Sequence, residues 1–473
     1  MNKILKKKKR VFVGLSGGVD SAVAAALLKK QGYDVAGVFM RFWKPRISAD
    51  SKTADGRGRE NSCCSVESEA KARLVASKLQ IPFYIFNFAK EFKREVVDYF
   101  LAELAAGRTP NPCAVCNPKI KFGLFLERAK KLGADYISTG HYARVKSIPD
   151  VILRAKPEGS LAHASRHSSE ILPPPPRGQN DKKVLFKLFA AKDKIKDQSY
   201  FLAALIQEQL KHVIFPLGNY RKDEVYALAK KWRLPHQPRQ SFDVCFAGDY
   251  QGFLKKYLKM REGKILNLPN LPLRKRGDNL PTPLCVRGAK EIRSWAKGAA
   301  AFTPLVKGGA GGLKHVSEKV LGQHQGLPLY TIGQRASVGG PGPFYVVGKD
   351  VKDNILYVSN NERDLHKKEI SVGKVNWIAG KEPKLPLKCK VKIRYGGEAA
   401  EAVINQQSTP KNPTDSTGQA INPPATPKRS FGGRGNQQLK IQFKCPQRAI
   451  TPGQIAVFYG RGGEMLGGGI IQR

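Results

Sequence analysis

Apolar segments of β-strand length alternate with helical segments through the first third of the chain. The pattern predicts strands at residues 10–15, 34–42, 82–88 and 135–145 and helices at residues 20–31, 62–79, 90–105 and 120–132. A loop is predicted at residues 107–118. Alternation of this kind is typical of a parallel sheet with helices on both faces, so the first domain is predicted to be α/β.

The pattern changes in the rest of the chain. A strand at residues 184–191 and helices at residues 198–210 and 222–232 precede a series of short β segments from residue 327 onward. Gly, Asn and Pro bound these segments, which suits a small antiparallel barrel. We therefore predict an α/β domain, a small central domain and a C-terminal β-barrel, at residues 1–220, 221–326 and 327–473.

Three segments rich in Pro, Gly, Ser and Asn interrupt this pattern, at residues 149–183, 267–320 and 405–438. Such composition favours inserted loops or disorder. The second segment carries ten Lys and Arg residues against three Asp and Glu residues. For that segment, a basic arm that contacts nucleic acid is as good an interpretation as a surface insertion.

The net charge of the chain indicates the kind of partner that it binds. The 473 residues include 82 Lys and Arg against 38 Asp and Glu, which gives a net charge of +44. Nucleic acid is favoured as the partner because neutralised phosphates release counterions, whereas no basic amphipathic helix indicates a membrane surface. No apolar stretch approaches the roughly 18 residues of a membrane helix. Eight irregularly spaced cysteines without a recognisable signal peptide predict a reducing cytoplasm.

Residues 14–21, GLSGGVDS, lie where the first strand gives way to a helix. The Ser-Gly-Gly turn lets backbone N–H groups point inward, and a helix N-terminus of this kind binds phosphate. The segment lacks the Lys of a Walker A loop and the spacing of GxGxxG. It resembles the pyrophosphate loop of ATP pyrophosphatases, which split ATP into AMP and pyrophosphate and adenylate a substrate. A glycine turn capped by Ser or Asp is the structural alternative.

The segment RTPNPCAVCN, residues 108–117, contains a CxxC pair. Two prolines stiffen the loop and hold Cys116 near a helix start, where Lys119 and Lys121 would favour its thiolate. The pair could also be half of a zinc site, but Cys63 and Cys64 are poorly spaced to complete it.

Cys245 follows a polar, Pro-rich stretch and precedes Gly248, which predicts an accessible loop. Two accessible cysteines in an enzyme that activates its substrate with ATP indicate sulfur chemistry. One thiol would carry a sulfur atom, and the other would release it through a disulfide.

The chain resembles the bacterial tRNA-specific 2-thiouridylase family, which thiolates the wobble uridine of certain tRNAs. The resemblance rests on segments that run in family order: GLSGGVDS, RTPNPCAVCNPKIKF, LGADYISTGHYAR, KDQSYFL, VCFAGDYQGFL, GQHQGLPLYTIGQR, VKIRYGG and TPGQIAVFYGRGGEMLGGGII. It implies a first domain of the adenine-nucleotide α-hydrolase (ATP pyrophosphatase) type, with ATP and Mg²⁺ as cofactors. It also implies two partners: tRNA, such as those for Lys, Glu and Gln, and a sulfur-donor protein, either a cysteine desulfurase or a sulfur-relay protein.

The resemblance also implies roles by position. ATP would be bound by Gly14, Leu15, Ser16, Gly17, Gly18, Val19, Asp20, Ser21, Met40 and Gly140. Cys116 would be the nucleophile, Cys245 would carry the persulfide, and the two would form a transient disulfide. The target base would meet Asn111, Pro112, Cys113 and His141. Further tRNA contacts would be Lys196, Asp197, Gln198, Arg394, Tyr395 and Gln454.

Structural interpretations of single residues and two other functions remain open. Met40 could be strand core, His141 a structural histidine, and Asp197 a helix cap. Many family members carry Asp at the position of Cys113, and a thiol with a pKa of about 8.5 transfers protons less well at neutral pH. One alternative function is a tRNA sulfurtransferase with an iron–sulfur cluster held partly by Cys113 and Cys116. The other is a non-catalytic RNA-binding protein. The 2-thiouridylase interpretation, in contrast to the cluster alternative, expects no metal site formed by the protein's own residues.

Overall fold

The computed structural model describes residues 8–45, 65–149, 184–235, 244–267, 319–407 and 437–472. The three predicted insertions therefore lie almost entirely outside the described residues. The chain forms two compact units. The first comprises Met1–Lys259, Glu369–Gln442 and Thr451–Arg473, and the second comprises Met260–Lys368 and Phe443–Ile450.

A five-stranded parallel sheet forms the α/β part of the first unit. Its strands are β1 (Arg10–Gly14), β2 (Asp34–Arg41), β3 (Phe83–Asn87), β4 (Tyr136–Ser138) and β7 (Val213–Ile214). They lie in the order β3-β2-β1-β4-β7, so the chain moves outward from β1 to β3 and then returns to the other side of β1. A topological switch point therefore lies between β1 and β4, and the predicted parallel α/β fold is confirmed.

Short helices accompany this sheet: α1 (Val19–Lys30), α2 (Val66–Lys78), α3 (Ala89–Phe92), α4 (Asp98–Ala105), α5 (Pro112–Cys116), α6 (Phe125–Lys131), α7 (Gln207–Leu210), α8 (Lys222–Lys231) and α9 (Tyr250–Tyr257). π-Helical turns at Lys93–Val97 and Asn117–Leu124 join α3 to α4 and α5 to α6. Helix α1 is rich in alanine and almost wholly buried, because it packs against β1, β2 and α8.

One loop prediction and one helix prediction are wrong. Residues 107–118 do not form a continuous loop, because α5 begins at Pro112 with the side chain of Asn111 as its N-cap. Proline is tolerated there because the first N–H groups of a helix have no partner within the helix. The predicted helix at residues 198–210 consists of a 3₁₀ turn, Ser199–Leu202, and the single-turn helix α7.

An eight-stranded sheet contains the C-terminal strands. Its members are β5 (Arg144–Pro149), β6 (Val184–Phe189), β13 (His366–Trp377), β14 (Leu387–Lys392), β15 (Ala400–Gln406), β16 (Leu439–Arg448), β17 (Ile455–Tyr459) and β18 (Glu464–Ile471). The order is β13-β16-β15-β14-β17-β18-β6-β5, and β13 also pairs with β18, so six strands close into the predicted barrel. The predicted strand at residues 135–145 is in fact two strands, β4 and β5, of different sheets.

The second unit is built on a smaller five-stranded sheet. Its strands are β8 (Gly263–Asn267), β9 (Lys319–His324), β10 (Arg335–Ala336), β11 (Phe344–Asp350) and β12 (Ile355–Ser359), in the order β10-β11-β12-β8-β9. Ile265, Phe344 and Leu356 belong to its apolar core. A small domain therefore lies between the α/β part and the barrel in sequence, whereas the predicted boundaries stay predictions. Within the ranges described above, no helix is long and apolar enough to cross a membrane.

Candidate functional site

The GLSGGVDS segment connects β1 to α1 at the switch point of the sheet. Gly18 is the N-cap of α1, and no side chain forms a capping hydrogen bond there. The Ser21 hydroxyl instead closes the loop: it accepts from Ser16 N at 3.1 Å and donates to Gly18 O at 3.0 Å. The segment is therefore not a turn capped by Ser or Asp, and its uncapped helix N-terminus suits a phosphate group.

Two glycines let other segments approach this loop closely. Gly17 has φ +77°, and a Cβ atom there would lie 2.5 Å from Ser68 O. A Cβ atom on Gly140, just after β4, would lie 2.8 Å from Ser21 N. Met40, at the end of β2, lies beside Gly14, at 3.0 Å from where a Cβ would stand. The structure thus brings the predicted ATP-binding residues together at the carboxyl edge of the parallel sheet.

Two residues that the sequence pattern did not single out reach Asp20. The Tyr142 hydroxyl donates to Asp20 Oδ1 at 2.8 Å. Lys222 Nζ donates to Oδ1 at 2.6 Å and to Oδ2 at 2.8 Å. Burial, followed by the charge of Asp20, raises the pKa of Tyr142, so its hydroxyl stays protonated. Lys222 begins α8 in a polar first turn, where only the tertiary contact distinguishes it from a surface lysine.

His141 follows Gly140 and lies against the helical segment that continues from Cys116. Its Nδ1 is 2.7 Å from Thr139 Oγ1, and its ring centroid is 5.6 Å from that of Phe122. Part of the side chain is accessible, but burial of the ring, and then the charge of Lys121, lowers the pKa of His141 well below its usual value. The imidazole is therefore neutral at pH 7 and can donate one hydrogen bond and accept another.

Cys116 is the last residue of α5 and is 5% exposed. The prediction that it lies on an accessible loop is wrong, because α5 packs against the Lys93–Val97 turn and the Ser199–Leu202 turn. Cys113, which is half-buried, lies in the first turn of α5 instead. Cys113, and not Cys116, therefore lies beside the N-terminus of α5.

Lys119, expected to stabilise the Cys116 thiolate, is ion-paired with Glu95. Glu95 belongs to the π-helical turn on which α5 packs. The positive charge of Lys119 is therefore shared with a carboxylate rather than directed at the thiol alone.

Cys245 is half-buried, and its neighbour Phe246 anchors the segment. The Phe246 ring packs edge-on against Phe92 at 5.8 Å and against Phe100 at 5.5 Å between centroids. Helix α5 packs on the turn between α3 and α4. The stretch from α3 to α4 therefore contacts both the helix that carries Cys113 and Cys116 and the segment that carries Cys245. Cys113, Cys116 and Cys245 are all thiols in this structure, and the disulfide stays a prediction.

Asp197 and Gln198, both expected to contact tRNA, make hydrogen bonds inside the protein. Asp197 is 8% exposed, and its Oδ1 accepts from Ala191 N at 2.9 Å and from Ser199 N at 3.2 Å. Gln198 Oε1 accepts from Tyr142 N at 3.1 Å. Asp197 is not the N-cap of the Ser199–Leu202 turn, because Gln198 occupies that position and no side chain forms a capping hydrogen bond there. Lys196 beside them is half-buried.

The other expected tRNA contacts lie on the barrel side of the first unit. Arg394 is exposed, and the ring of its neighbour Tyr395 lies 4.4 Å from that of Phe201. Gln454 Nε2 donates to Thr109 O at 3.0 Å. Gln454 thereby reaches the segment that leads to Asn111 and Pro112, the cap and first residue of α5. Among the described residues, no group of three or more His, Cys, Asp or Glu side chains is placed to hold a metal ion.

The fold and the phosphate loop define a nucleotide-binding α/β protein with appended β domains. Three family models match the chain: "tRNA methyl transferase HUP domain" at residues 9–249, "tRNA methyl transferase PRC-barrel domain" at 305–360 and "Aminomethyltransferase beta-barrel domain" at 367–412 and 425–471.

Curated relatives cover almost the whole chain. The tRNA-specific 2-thiouridylase MnmA of Roseiflexus castenholzii is 35% identical over 471 residues, which is 98% of this chain and 99% of the relative. That of Symbiobacterium thermophilum is 35% identical over 469 residues, with 98% and 92% covered. That of Legionella pneumophila is 34% identical over 478 residues, with 98% and 99% covered. The chain belongs to the tRNA-specific 2-thiouridylase family.

Proposed function

We propose that this protein is a tRNA-uridine 2-sulfurtransferase that consumes ATP. The proposal is supported by one arrangement above all: His141 follows Gly140, which approaches the phosphate loop, and its ring lies against Phe122 in the helical turn that continues from Cys116. His141 thus links the candidate phosphate site to the helical stretch that carries Cys113 and Cys116, which suits an enzyme that activates a base and then sulfurates it.

ATP would serve to make a poor leaving group into a good one. The C2 oxygen of uridine does not leave as oxide, so its transfer onto the α-phosphate of ATP would give an adenylate and release pyrophosphate. The Gly14–Ser21 loop would bind the phosphates through its backbone N–H groups. Mg²⁺ would fit at Asp20, sharing its carboxylate with Lys222, and would neutralise the charge of the departing pyrophosphate.

Sulfur transfer would then use both thiols. A sulfur-donor protein would load Cys245 with a persulfide, whose outer sulfur bonds to C2 as the C2–O bond to AMP breaks. Transfer of that sulfur as sulfide requires two electrons, and the Cys116 thiolate would supply them by forming the Cys116–Cys245 disulfide. Cys116 could instead attack the Cys245 persulfide first, which forms the same disulfide and releases hydrosulfide. The hydrosulfide would then displace AMP at C2, so the electron balance is the same. An external reductant, such as a dithiol, would restore both thiols.

The uridine would be flipped out of the anticodon loop to reach this edge, which costs little in a single-stranded loop. Exposed Arg394 beside Tyr395 provides the adjacent cation and aromatic ring that nucleic-acid binding uses. Neutral His141 would hydrogen-bond the base without charging it.

The test is a reaction of the purified full-length chain with ATP, unmodified tRNA, a persulfide source and Mg²⁺. We expect AMP and pyrophosphate to form only with tRNA, and nucleoside mass spectrometry to detect 2-thiouridine at the wobble position. A protein that binds tRNA but forms neither AMP nor 2-thiouridine would be a binding protein instead.

A further inference from the structure

The phosphate loop carries no positive side chain of its own. Residues 14–21 contain one charged residue, Asp20, and it is negative. The triphosphate of ATP carries several negative charges, which a neighbouring carboxylate would repel. Backbone N–H groups offset part of this repulsion, so a cation from another segment is expected at the loop.

We propose that Lys222 is a phosphate-binding residue of the ATP site. This inference rests on the proposed function, because it requires ATP at this loop. Lys222 Nζ lies 2.6 and 2.8 Å from the two carboxylate oxygens of Asp20. Its side chain is 21% exposed and is therefore not sealed inside the protein. Two of its three N–H groups are directed at Asp20, and the third can be donated to a phosphate oxygen.

The ammonium group is held at this place by its surroundings. Lys222 Nζ lies 4.9 Å from the ring centroid of Tyr226 and 5.8 Å from that of Tyr142. The backbone N–H of Lys222 donates to Asp193 Oδ2 at 2.9 Å, and α8 packs against α1. The cation is thus supplied by a fixed helix start and is not a mobile surface side chain.

Asp20 and Tyr142 form the other part of the arrangement. Asp20 compensates the lysine charge while the site holds no ligand, and Tyr142 fixes one oxygen of that carboxylate. When phosphate arrives, Lys222 can interact with both anions, which reduces the repulsion between them. This gives Asp20 a role in positioning the cation in addition to any role toward Mg²⁺.

Lys222→Gln provides a test because the glutamine amide can still donate to Asp20 but carries no charge. We expect Lys222→Gln to bind ATP and pyrophosphate roughly 10–100-fold more weakly, since a hydrogen bond to a charged group is lost. Adenosine, which has no phosphate, should bind within about twofold of wild type. Lys222→Arg should recover much of the pyrophosphate affinity.

The matched control is Lys192→Gln. It removes a lysine that pairs with Glu224, which lies on α8 as Lys222 does. It should leave all three affinities unchanged. Isothermal titration calorimetry with the full chain measures each ligand, with and without Mg²⁺. Unchanged pyrophosphate affinity in Lys222→Gln, or an equal loss for adenosine, would overturn the assignment. A wild-type chain that binds ATP in this Lys222-dependent way but does not thiolate tRNA would refute the proposed function alone.

Discussion

The side-chain amide of Gln454 donates a hydrogen bond to the backbone carbonyl of Thr109, with 3.0 Å between Nε2 and O. Thr109 N in turn donates to Pro452 O at 2.9 Å. These two bonds fasten the turn before β17 of the barrel to the segment that leads into α5. The barrel thereby fixes the start of the helix that carries Cys113 and Cys116.

Gln454→Ala should loosen this segment even without tRNA. The loss of one hydrogen bond, about 1 kcal/mol, would make local opening roughly fivefold more frequent. The rate at which iodoacetamide labels Cys116 should rise by that factor in the tRNA-free protein. Gln472→Ala is the control, since that side chain bonds Ile470 O in its own segment. If Gln454 serves only to contact tRNA, labelling without tRNA will not change.

Gly17→Ala and Gly18→Ala should differ although the two residues are adjacent. Gly17 combines φ +77° with Ser68 O at 2.5 Å from the added Cβ, whereas a Cβ on Gly18 would meet only Ser16 Oγ at 3.4 Å. We expect Gly17→Ala to lower the free energy of unfolding by about 1–3 kcal/mol more than Gly18→Ala. Urea unfolding measures both, and equal losses would contradict the geometry of the loop.

Asp20→Ala should abolish AMP formation, by at least about 100-fold, and leave tRNA affinity largely intact. Asp20 lies in the phosphate loop and holds Lys222, whereas tRNA binding is expected to rest on the barrel and the basic surface. Pyrophosphate release and tRNA binding are measured in parallel. Asp34→Ala, which removes a carboxylate paired with Arg10, is the control. Normal pyrophosphate release by Asp20→Ala would exclude this loop as the ATP site.

Substitution of each of the three cysteines by serine should distinguish the persulfide mechanism from the iron–sulfur alternative. We expect Cys116→Ser and Cys245→Ser to form no 2-thiouridine, and Cys113→Ser to retain some activity, with no need for iron. In a cluster mechanism Cys113 and Cys116 would both be ligands, and the loss of either would remove the iron. Anaerobic purification with iron analysis decides the matter: iron-dependent wild-type activity, with all three variants inactive, would favour the cluster.

The neutral state of His141 predicts a pH dependence of stability. Burial lowers its pKa in the folded protein, so below about pH 6.5 the unfolded chain binds a proton that the folded chain does not. This contribution to stability is complete above pH 6.5 and is lost as the pH falls toward the folded pKa. Between pH 7 and pH 5 the loss should reach about 1–2 kcal/mol.

His141→Gln should remove that part of the pH dependence, which urea unfolding at the two pH values measures. Other groups contribute equally to the pH dependence of stability in both proteins, so the comparison with wild type cancels their contributions. These groups include His212 and His324, whose pKa values burial also lowers. An equal slope in wild type and His141→Gln would mean that His141 is protonated in the folded protein at pH 5.

The local pattern of the sequence determined the strand–loop–helix unit around residues 14–21. Apolar runs and glycines act over a few neighbours. The succession of strands and helices along the chain, and the position of the phosphate loop between them, could therefore be predicted without tertiary contacts. The same local signals failed at α5, because the Asn111 cap and Pro112 start a helix inside a segment that reads as a loop.

Only the tertiary structure decided which distant groups act together. The contact of Lys222 with Asp20 joins residues that are 202 positions apart, and that of Gln454 with Thr109 joins residues 345 positions apart. Burial of Cys116 likewise depends on turns elsewhere in the chain that cover α5. The sequence by itself predicted candidate residues such as Asp20 and Cys116, because residue type and near neighbours suffice for that, but it did not single out Lys222. Exposure and side-chain partners depend on how remote segments pack, and local pattern carries no information about that packing.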